Sequence, residues 1–375
     1  MRRPRSSRNI EIVIGIRSFH GNDGRGGQML SEKKALLYER LTKNSVRCNL
    51  CSHHCVIPDG KLGACHVRKN IGGVLYTLVY GNTISQNADP VEKKTLYHFY
   101  PGSLAYSIAT PGCNFRCQWC QNWQISQMPR ERELIAGRKV TPEEIIGSAL
   151  ESGSRSIAYT YTEPTVFFEY AYDTARLAHQ AGLANIFVTN GYMSQEMLEV
   201  FHPYLDAANV DLKAFRKVSY RRYVRAGFQP VLDNMKLMKK MGIWLEVTTL
   251  VIPGINDDLA ELRDAAHFVV QELGPNTPWH ISGFFPAYKM GDVPPTPLAT
   301  LRLAQQIGLD EGLHYVYVGN ISGEGNDTFC PSCGRALIRR HNFGVIFNRM
   351  VNDRCPACGT PIAGINMRSN KRILQ

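Results

Sequence analysis

Residues 104–122 read LAYSIATPGCNFRCQWCQN, and the rest of the chain takes its meaning from this stretch. Residues 104–109 are an apolar run of strand length, which Thr110-Pro111-Gly112 closes with a turn. Cys113, Cys117 and Cys120 follow in a Cys-x3-Cys-x2-Cys spacing. Three thiolates on one short loop can wrap one face of an iron–sulfur cubane, and the odd number leaves one iron open to an outside chelator. The plainer readings are a zinc site, or a cluster that borrows a fourth cysteine from elsewhere. Against them, the other eight cysteines already make two complete sets: Cys48, Cys51, Cys55 and Cys65, then Cys330, Cys333, Cys355 and Cys358.

Downstream of the loop, short apolar runs alternate with longer amphipathic ones. They predict strands at 104–109, 156–160, 186–189, 208–212, 244–252, 280–284 and 315–318. Helices are expected near 142–152, 165–181, 194–202, 230–241, 259–272 and 298–307. This βαβα succession implies parallel strands with right-handed crossovers. An α/β barrel, open or closed, fits it, with chemistry at the C-terminal strand ends; periodicity alone does not separate this from a doubly wound sheet.

Upstream, residues 1–30 contain Gly-Asn-Asp-Gly-Arg-Gly-Gly and read as a flexible basic extension, and residues 32–41 have the apolar spacing of a short helix. The expected organisation is the extension, a Cys-rich metal-binding module over 31–100, a core barrel over 101–325, and a zinc-ribbon or rubredoxin-like module over 326–375. The last rests on the two knuckles Cys330-Pro-Ser-Cys333-Gly and Cys355-Pro-Ala-Cys358-Gly, where zinc would stabilise a unit too small to bury a core. The first set, Cys-x2-Cys-x3-Cys-x9-Cys, suits zinc and a second [4Fe-4S] cluster equally, with His53, His54 and His66 as substitute ligands.

A hydrophobic content of 44% is that of a protein with a sizeable core. No apolar run reaches the ~18 residues of a membrane span, and the basic start is not followed by a signal-peptide core, so the expected compartment is the cytoplasm. There thiols stay reduced, which turns the cysteine count toward metal and away from disulfides. The net charge of +11 sits at the ends: six Arg against Glu11 and Asp23 in residues 1–30, and eight Lys or Arg against Asp353 in residues 330–375. A basic tail can attract nucleic acid or an acidic protein; a solvated, solubilising end is the simpler reading.

Cys-x3-Cys-x-aromatic-Cys after a strand, with Trp119 as the aromatic, resembles the signature of radical S-adenosylmethionine (SAM) enzymes. The resemblance implies a partial (β/α) barrel and a [4Fe-4S] cluster on Cys113, Cys117 and Cys120 that chelates SAM through its amino and carboxylate groups. One electron from the reduced cluster would break the S–C5′ bond to give a 5′-deoxyadenosyl radical, and the protein would supply position, redox tuning and exclusion of water.

Further segments at strand ends resemble pyruvate formate-lyase activating enzymes and imply SAM contacts. Tyr159-Thr-Tyr-Thr-Glu163 falls where that family has a Gly-Gly-Glu-type motif, with Tyr161 and Thr162 in place of the glycines, so Glu163 or the Thr162 hydroxyl would serve; a helix N-cap at Thr162 is the alternative. Thr189-Asn190-Gly191 resembles their Thr-Asn-Gly turn, with Val188 where an Asp often stands. Asp211-Leu-Lys213 resembles their Asp-Leu-Lys segment, its acid suited to ribose hydroxyls and its lysine to an anionic group, against a plain surface ion pair. Leu250-Val-Ile-Pro253-Gly-Ile-Asn256 resembles a segment of that family whose Pro-Gly turn can lie against adenosine, with ordinary turn chemistry the equal alternative, and His280 falls where relatives place a histidine near SAM, although a strand histidine is more often structural.

Arg47-Cys-Asn-Leu-Cys51-Ser-His-His-Cys55, Asp89-Pro-Val-Glu-Lys-Lys-Thr-Leu-Tyr-His98 and Tyr161-Thr-Glu-Pro-Thr165 narrow the resemblance, over about residues 32–360, to the radical SAM proteins of the AmmeMemoRadiSam system. This implies Memo-type and AMMECR-type partners, a flavodoxin or ferredoxin as electron donor, and hydrogen abstraction from a protein or peptide in the manner of a glycyl-radical activase. Modification of RNA, suggested by the basic ends and the knuckles, and a non-catalytic iron–sulfur assembly role are the competing readings.

Overall fold

The computed structural model describes residues 33–321 and 326–368; the basic N-terminal extension lies outside them. Its centre is an eight-stranded sheet: β1 (Ser85–Pro90), β2 (Leu104–Ala109), β3 (Ser156–Tyr159), β4 (Ala184–Thr189), β5 (Ala207–Asp211), β6 (Trp244–Val251), β7 (Trp279–Gly283) and β8 (Val316–Gly319). Strands β2 to β8 run parallel in chain order, β1 pairs antiparallel with β2, and β1 and β8 are the two edges of an open sheet. All four residues of β3 are buried and β6 and β7 nearly so, the pattern of strands covered on both faces. Helices α1 (Pro142–Glu151), α2 (Phe168–Gln180), α3 (Gln195–Phe201), α4 (Gln229–Lys240), α5 (Leu259–Phe268) and α6 (Leu298–Asp310) fill the crossovers. Their starts are chemically marked: Thr141 and Glu144 form a reciprocal capping box on α1, and Ser194 and Asp258 cap α3 and α5.

Two expectations fail upstream of the barrel. The helix expected over 32–41 is not formed by its described residues, 33–41: Lys33–Lys34 and Tyr38–Arg40 are short strands, and Leu37 between them takes φ +54°, which no right-handed helix accepts. The Cys-rich module does not extend to residue 100 either, because Ser85–Pro90 is the edge strand of the large sheet. Beyond it, residues 91–100 run under the N-terminal ends of the parallel strands. There Tyr97 and His98 donate their backbone N–H groups to Glu246 of β6, at 3.0 and 2.8 Å.

The C-terminal residues form a small three-stranded antiparallel sheet, β9 (Thr328–Phe329), β10 (Ala336–His341) and β11 (Gly344–Asn348), held against that same segment. Arg340 donates to the Tyr97 carbonyl at 2.8 Å and pairs with buried Glu92, while Ile365 and Tyr100 exchange backbone bonds with residues 98 and 365. Among the described residues no helix is long and apolar enough to cross a membrane.

Candidate active site

The cluster loop leaves β2 at its C-terminal end and is held on both sides. Arg116 and Gln118 donate to the carbonyls of Val224 and Tyr223, and Lys289 donates to that of Gln118. Cys117 and Trp119 are buried, Trp119 tilted against Tyr223. Cys113 Sγ accepts the Phe115 N–H at 3.3 Å, and Cys120 Sγ lies 3.3 Å from the Ser126 hydroxyl. Burial pushes the Cys117 thiol up to about 12 and lifts Cys113 well above the ordinary thiol range, so a metal centre must displace their protons as it assembles.

Of the segments expected to face this loop, those at Glu163, Asn190 and Asp211–Lys213 lie against it. Asn190 Nδ2 reaches Asn114 Oδ1 at 2.8 Å and Cys113 Sγ at 3.9 Å, while its Oδ1 accepts the Tyr192 N–H. Gly191 makes that turn possible: at φ +70°, any Cβ would fall 2.9 Å from Val210 Cγ1. Glu163 is buried beside Cys113 and accepts four bonds, from Thr165 N and Oγ1 (3.1 and 2.5 Å), Thr189 Oγ1 (2.7 Å) and Asn190 N (2.8 Å). Burial raises its carboxyl and these donors oppose the rise. Its geometry is that of a hub tying the β3 and β4 turns together. Glu163, rather than Thr162, is the cap of the short helix Pro164–Phe167. Thr162 instead donates to the Thr110 carbonyl at 2.8 Å, fixing the root of the cluster loop.

Asp211 and Lys213 leave the end of β5 on one face and form a 2.7 Å ion pair, both half-buried rather than on open surface. Burial alone would pull Lys213 down, but the Asp211 carboxylate and the Cys117 and Cys120 sulfurs outweigh it and hold the ammonium above its usual range. Asn256, in the Pro253-Gly turn, donates to the Lys213 carbonyl at 3.0 Å and so ties the β6 turn to the pair.

His280 is placed differently. Its Nε2 lies 2.6 Å from Glu246, and its ring stacks on Tyr317 and meets Tyr97 edge-on, near the strand starts. It is the structural histidine of the plainer reading, not a neighbour of the loop.

Several contributors were not anticipated. Tyr161 holds φ +63°, the left-handed conformation a glycine would take; its hydroxyl is bonded by Asp89 and Lys94, and Asn122 of the cluster loop donates to its carbonyl at 2.9 Å. Asp89 also binds Lys93, Lys94 and Ser107. Arg130 donates to the carbonyls of Ala64 and Cys113, bridging two cysteine loops.

At the other end of the molecule Cys330, Cys333, Cys355 and Cys358 bring their sulfurs within 4.8 Å of one another, with Cys330–Cys358 at 3.6 Å and Cys333–Cys355 at 3.7 Å. Four sulfurs ~2.3 Å from one tetrahedral zinc would lie ~3.8 Å apart, so this set has the spacing for a single ion. Cys113, Cys117 and Cys120 do not draw in this way. One buried and two half-buried soft thiols, not gathered as one ion requires, with a half-buried ammonium beside them, fit an anionic cluster.

A profile of the Radical SAM superfamily matches residues 107–268. Uncharacterized protein MJ0808 of Methanocaldococcus jannaschii is 47% identical over 333 residues, 88% of this chain and 98% of that one. The chain belongs to the radical SAM superfamily. Putative glycyl-radical enzyme activating enzyme MJ1632 of the same organism is 25% identical over 48% of this chain and 66% of its own length. The pyruvate formate-lyase-activating enzyme of Clostridium pasteurianum is 20% identical over 42% of this chain and 66% of its own. Membership implies a [4Fe-4S] cluster and SAM.

Proposed function

We propose that this radical SAM enzyme abstracts a hydrogen atom from a protein or peptide, as an activase does, and that it is the radical SAM member of an AmmeMemoRadiSam system. The observation that carries the reading is the convergence of Asn190, Glu163, Asp211 and Lys213 on the Cys113–Cys117–Cys120 loop, in segments that resemble the activating enzymes. When bound, the cluster and SAM supply one-electron cleavage to a carbon radical. The three cysteines hold the cluster, Asn190 fixes the Cys113 side of the loop, Asp211 offers acceptors for ribose hydroxyls, and Lys213 offers a fixed positive charge. Trp119 walls the loop from solvent. Zinc on Cys330, Cys333, Cys355 and Cys358 is proposed as a structural ion of a zinc-ribbon-like module. The thiol chemistry suits the cytoplasm, with a flavodoxin or ferredoxin as donor and Memo-type and AMMECR-type proteins as partners.

The RNA reading draws on the C-terminal basic excess, part of which is engaged within the described residues. Arg340 is buried on Glu92 and the Tyr97 carbonyl, Arg339 pairs with Asp327, and Arg354 donates to the Gly359 carbonyl. The test is anaerobic reconstitution with dithionite, SAM and the genomic neighbours, followed by mass spectrometry of every polypeptide. Deoxyadenosine formation with a mass change or cleavage in a polypeptide is expected. Deoxyadenosine accompanied only by modified RNA would overturn the activase reading.

A further inference from the structure

The N-terminal cysteines are built around the same turn as the SAM-site loop. Cys51 bridges to Met193, Ser52 donates to the Tyr192 carbonyl at 3.0 Å, and Ser194 donates to that of Leu50 at 3.1 Å. Cys48, Cys51, Cys55 and Cys65 line one cavity, whose wall includes Asn114, the residue after Cys113, and buried Arg68. The Asn114 carbonyl is 2.8 Å from His53 Nε2. Gly112 comes so close that a Cβ there would stand 2.6 Å from Val67 Cγ1 and 3.5 Å from the Cys65 carbonyl.

Two features of this cavity point to its occupant. Arg68 Nε and Asn114 Nδ2 are buried donors without a hydrogen-bond partner, and N–H groups of this kind suit sulfide and thiolate sulfur. The four sulfurs also are not gathered within 4.8 Å of one another as those of Cys330, Cys333, Cys355 and Cys358 are. A cubane carries its ligands on four separate corners and needs them apart, whereas a single zinc needs ~3.8 Å.

We propose that Cys48, Cys51, Cys55 and Cys65 hold a second [4Fe-4S] cluster, redox-active and fully cysteine-ligated, sharing the Asn114 wall with the SAM-binding one. His53 is then a wall residue, committed to the Asn114 carbonyl, and not a ligand. Four thiolates leave no iron open, so this cluster takes and gives single electrons and does not chelate SAM.

The test counts metal on the full-length chain, reconstituted anaerobically with iron and sulfide. Wild type is expected to hold about eight iron and about one zinc per chain. The Cys113→Ala/Cys117→Ala/Cys120→Ala variant should keep about four iron and, once reduced by dithionite, an EPR signal that SAM leaves unchanged. Cys51→Ala/Cys55→Ala should lose half the iron and keep the signal that shifts with SAM. Either variant alone decides the matter if the other fails to fold. A triple variant without iron, or wild type with about four iron and two zinc, overturns the proposal. Neither result touches the radical SAM reading, which is tested separately by deoxyadenosine formation in wild type.

Discussion

The two ends of the parallel sheet both bury polar chemistry and put it to different use. Near the strand starts, Glu246 has all four carboxylate positions filled, by the N–H groups of Tyr97, His98, Trp244 Nε1 and His280. His98 is closed off likewise, with Nδ1 2.6 Å from the Ala363 carbonyl and Nε2 2.6 Å from the Tyr317 hydroxyl. Near the strand ends the cysteine loops keep soft thiols and the unpartnered donors Arg68 Nε and Asn114 Nδ2 under cover, while near the starts the unpartnered atoms include Glu92 Oε2, Ser103 Oγ and Ser156 Oγ, with no thiol beside them. A buried polar group with every bond made acts as a structural element; unpartnered donors beside soft thiols are the candidates to meet a ligand. His280, identical in kind to a ligand histidine, falls on the structural side for this reason alone.

The sharpest way to break the comparison is to strip one group from each end. Cys117→Ala should abolish reductive SAM cleavage, with deoxyadenosine formation falling at least ~100-fold, because a two-cysteine loop cannot present an open iron. Circular dichroism and melting should change little. An active Cys117→Ala enzyme would sink the proposed chemistry. Glu246→Ala should do the reverse: it leaves four buried donors without their acceptor and is expected to cost about 3–5 kcal/mol in chemical denaturation. Cluster absorbance and SAM cleavage per folded molecule should persist. Parallel loss of both would show that the two ends work as one.

The pH dependence of stability separates the ends further. Burial holds His98 down to about 4 from an ordinary value near 6.5. Above pH 6.5 the ring is neutral whether the chain is folded or not. As pH falls through 6.5 the unfolded chain takes the proton first, and the folded state loses stability down to about pH 4, by about 3 kcal/mol in all. Burial also lowers His53 and His66, so the signal is the difference between wild type and His98→Gln over this window. Superimposable curves would show that His98 is not held neutral.

What the sequence revealed, and what it hid, follows the same division. The parallel strands were legible because strands buried on both faces are rich in apolar residues, and their predicted limits fall within two residues of those found, as with 186–189 for Ala184–Thr189. The edge strand Ser85–Pro90 was not, since Ser-Gln-Asn-Ala-Asp-Pro has no apolar pattern; its role is to place Asp89 under Tyr161 and Ser107. Residues 32–41 carry helical spacing, yet Lys33–Lys34 pair with Tyr76 and Thr77 far along the chain and Tyr38–Arg40 turn back on Val46–Cys48, pairings no helical period can show. The cysteines announced themselves by spacing. Asn114 and Arg130 did not, because each acts through a partner distant in sequence.

The finest test lies in Asp211 and Lys213, where the two kinds of polar group meet. The pair is satisfied, like Glu246 and His280, yet it sits beside the thiols, like Asn190. If it belongs with the ligand-binding end, its remaining acceptor capacity is spent on the SAM ribose. Asp211→Asn keeps the shape and removes the charge, so cluster assembly should survive while SAM affinity falls by ~1.5–3 kcal/mol, the scale of hydrogen bonds to a charged group, or roughly 10- to 150-fold in Kd. Lys213 would then lose its closest counter-charge and turn toward the Cys117 and Cys120 sulfurs, which already help to hold its proton. Titration of SAM into reconstituted wild type and Asp211→Asn, followed by EPR and by deoxyadenosine yield, reads both effects. Equal affinity and equal cleavage would place the pair with Glu246 and His280, as an ion pair complete in itself, and would leave Asn190 and Glu163 as the residues that shape the SAM side of the site.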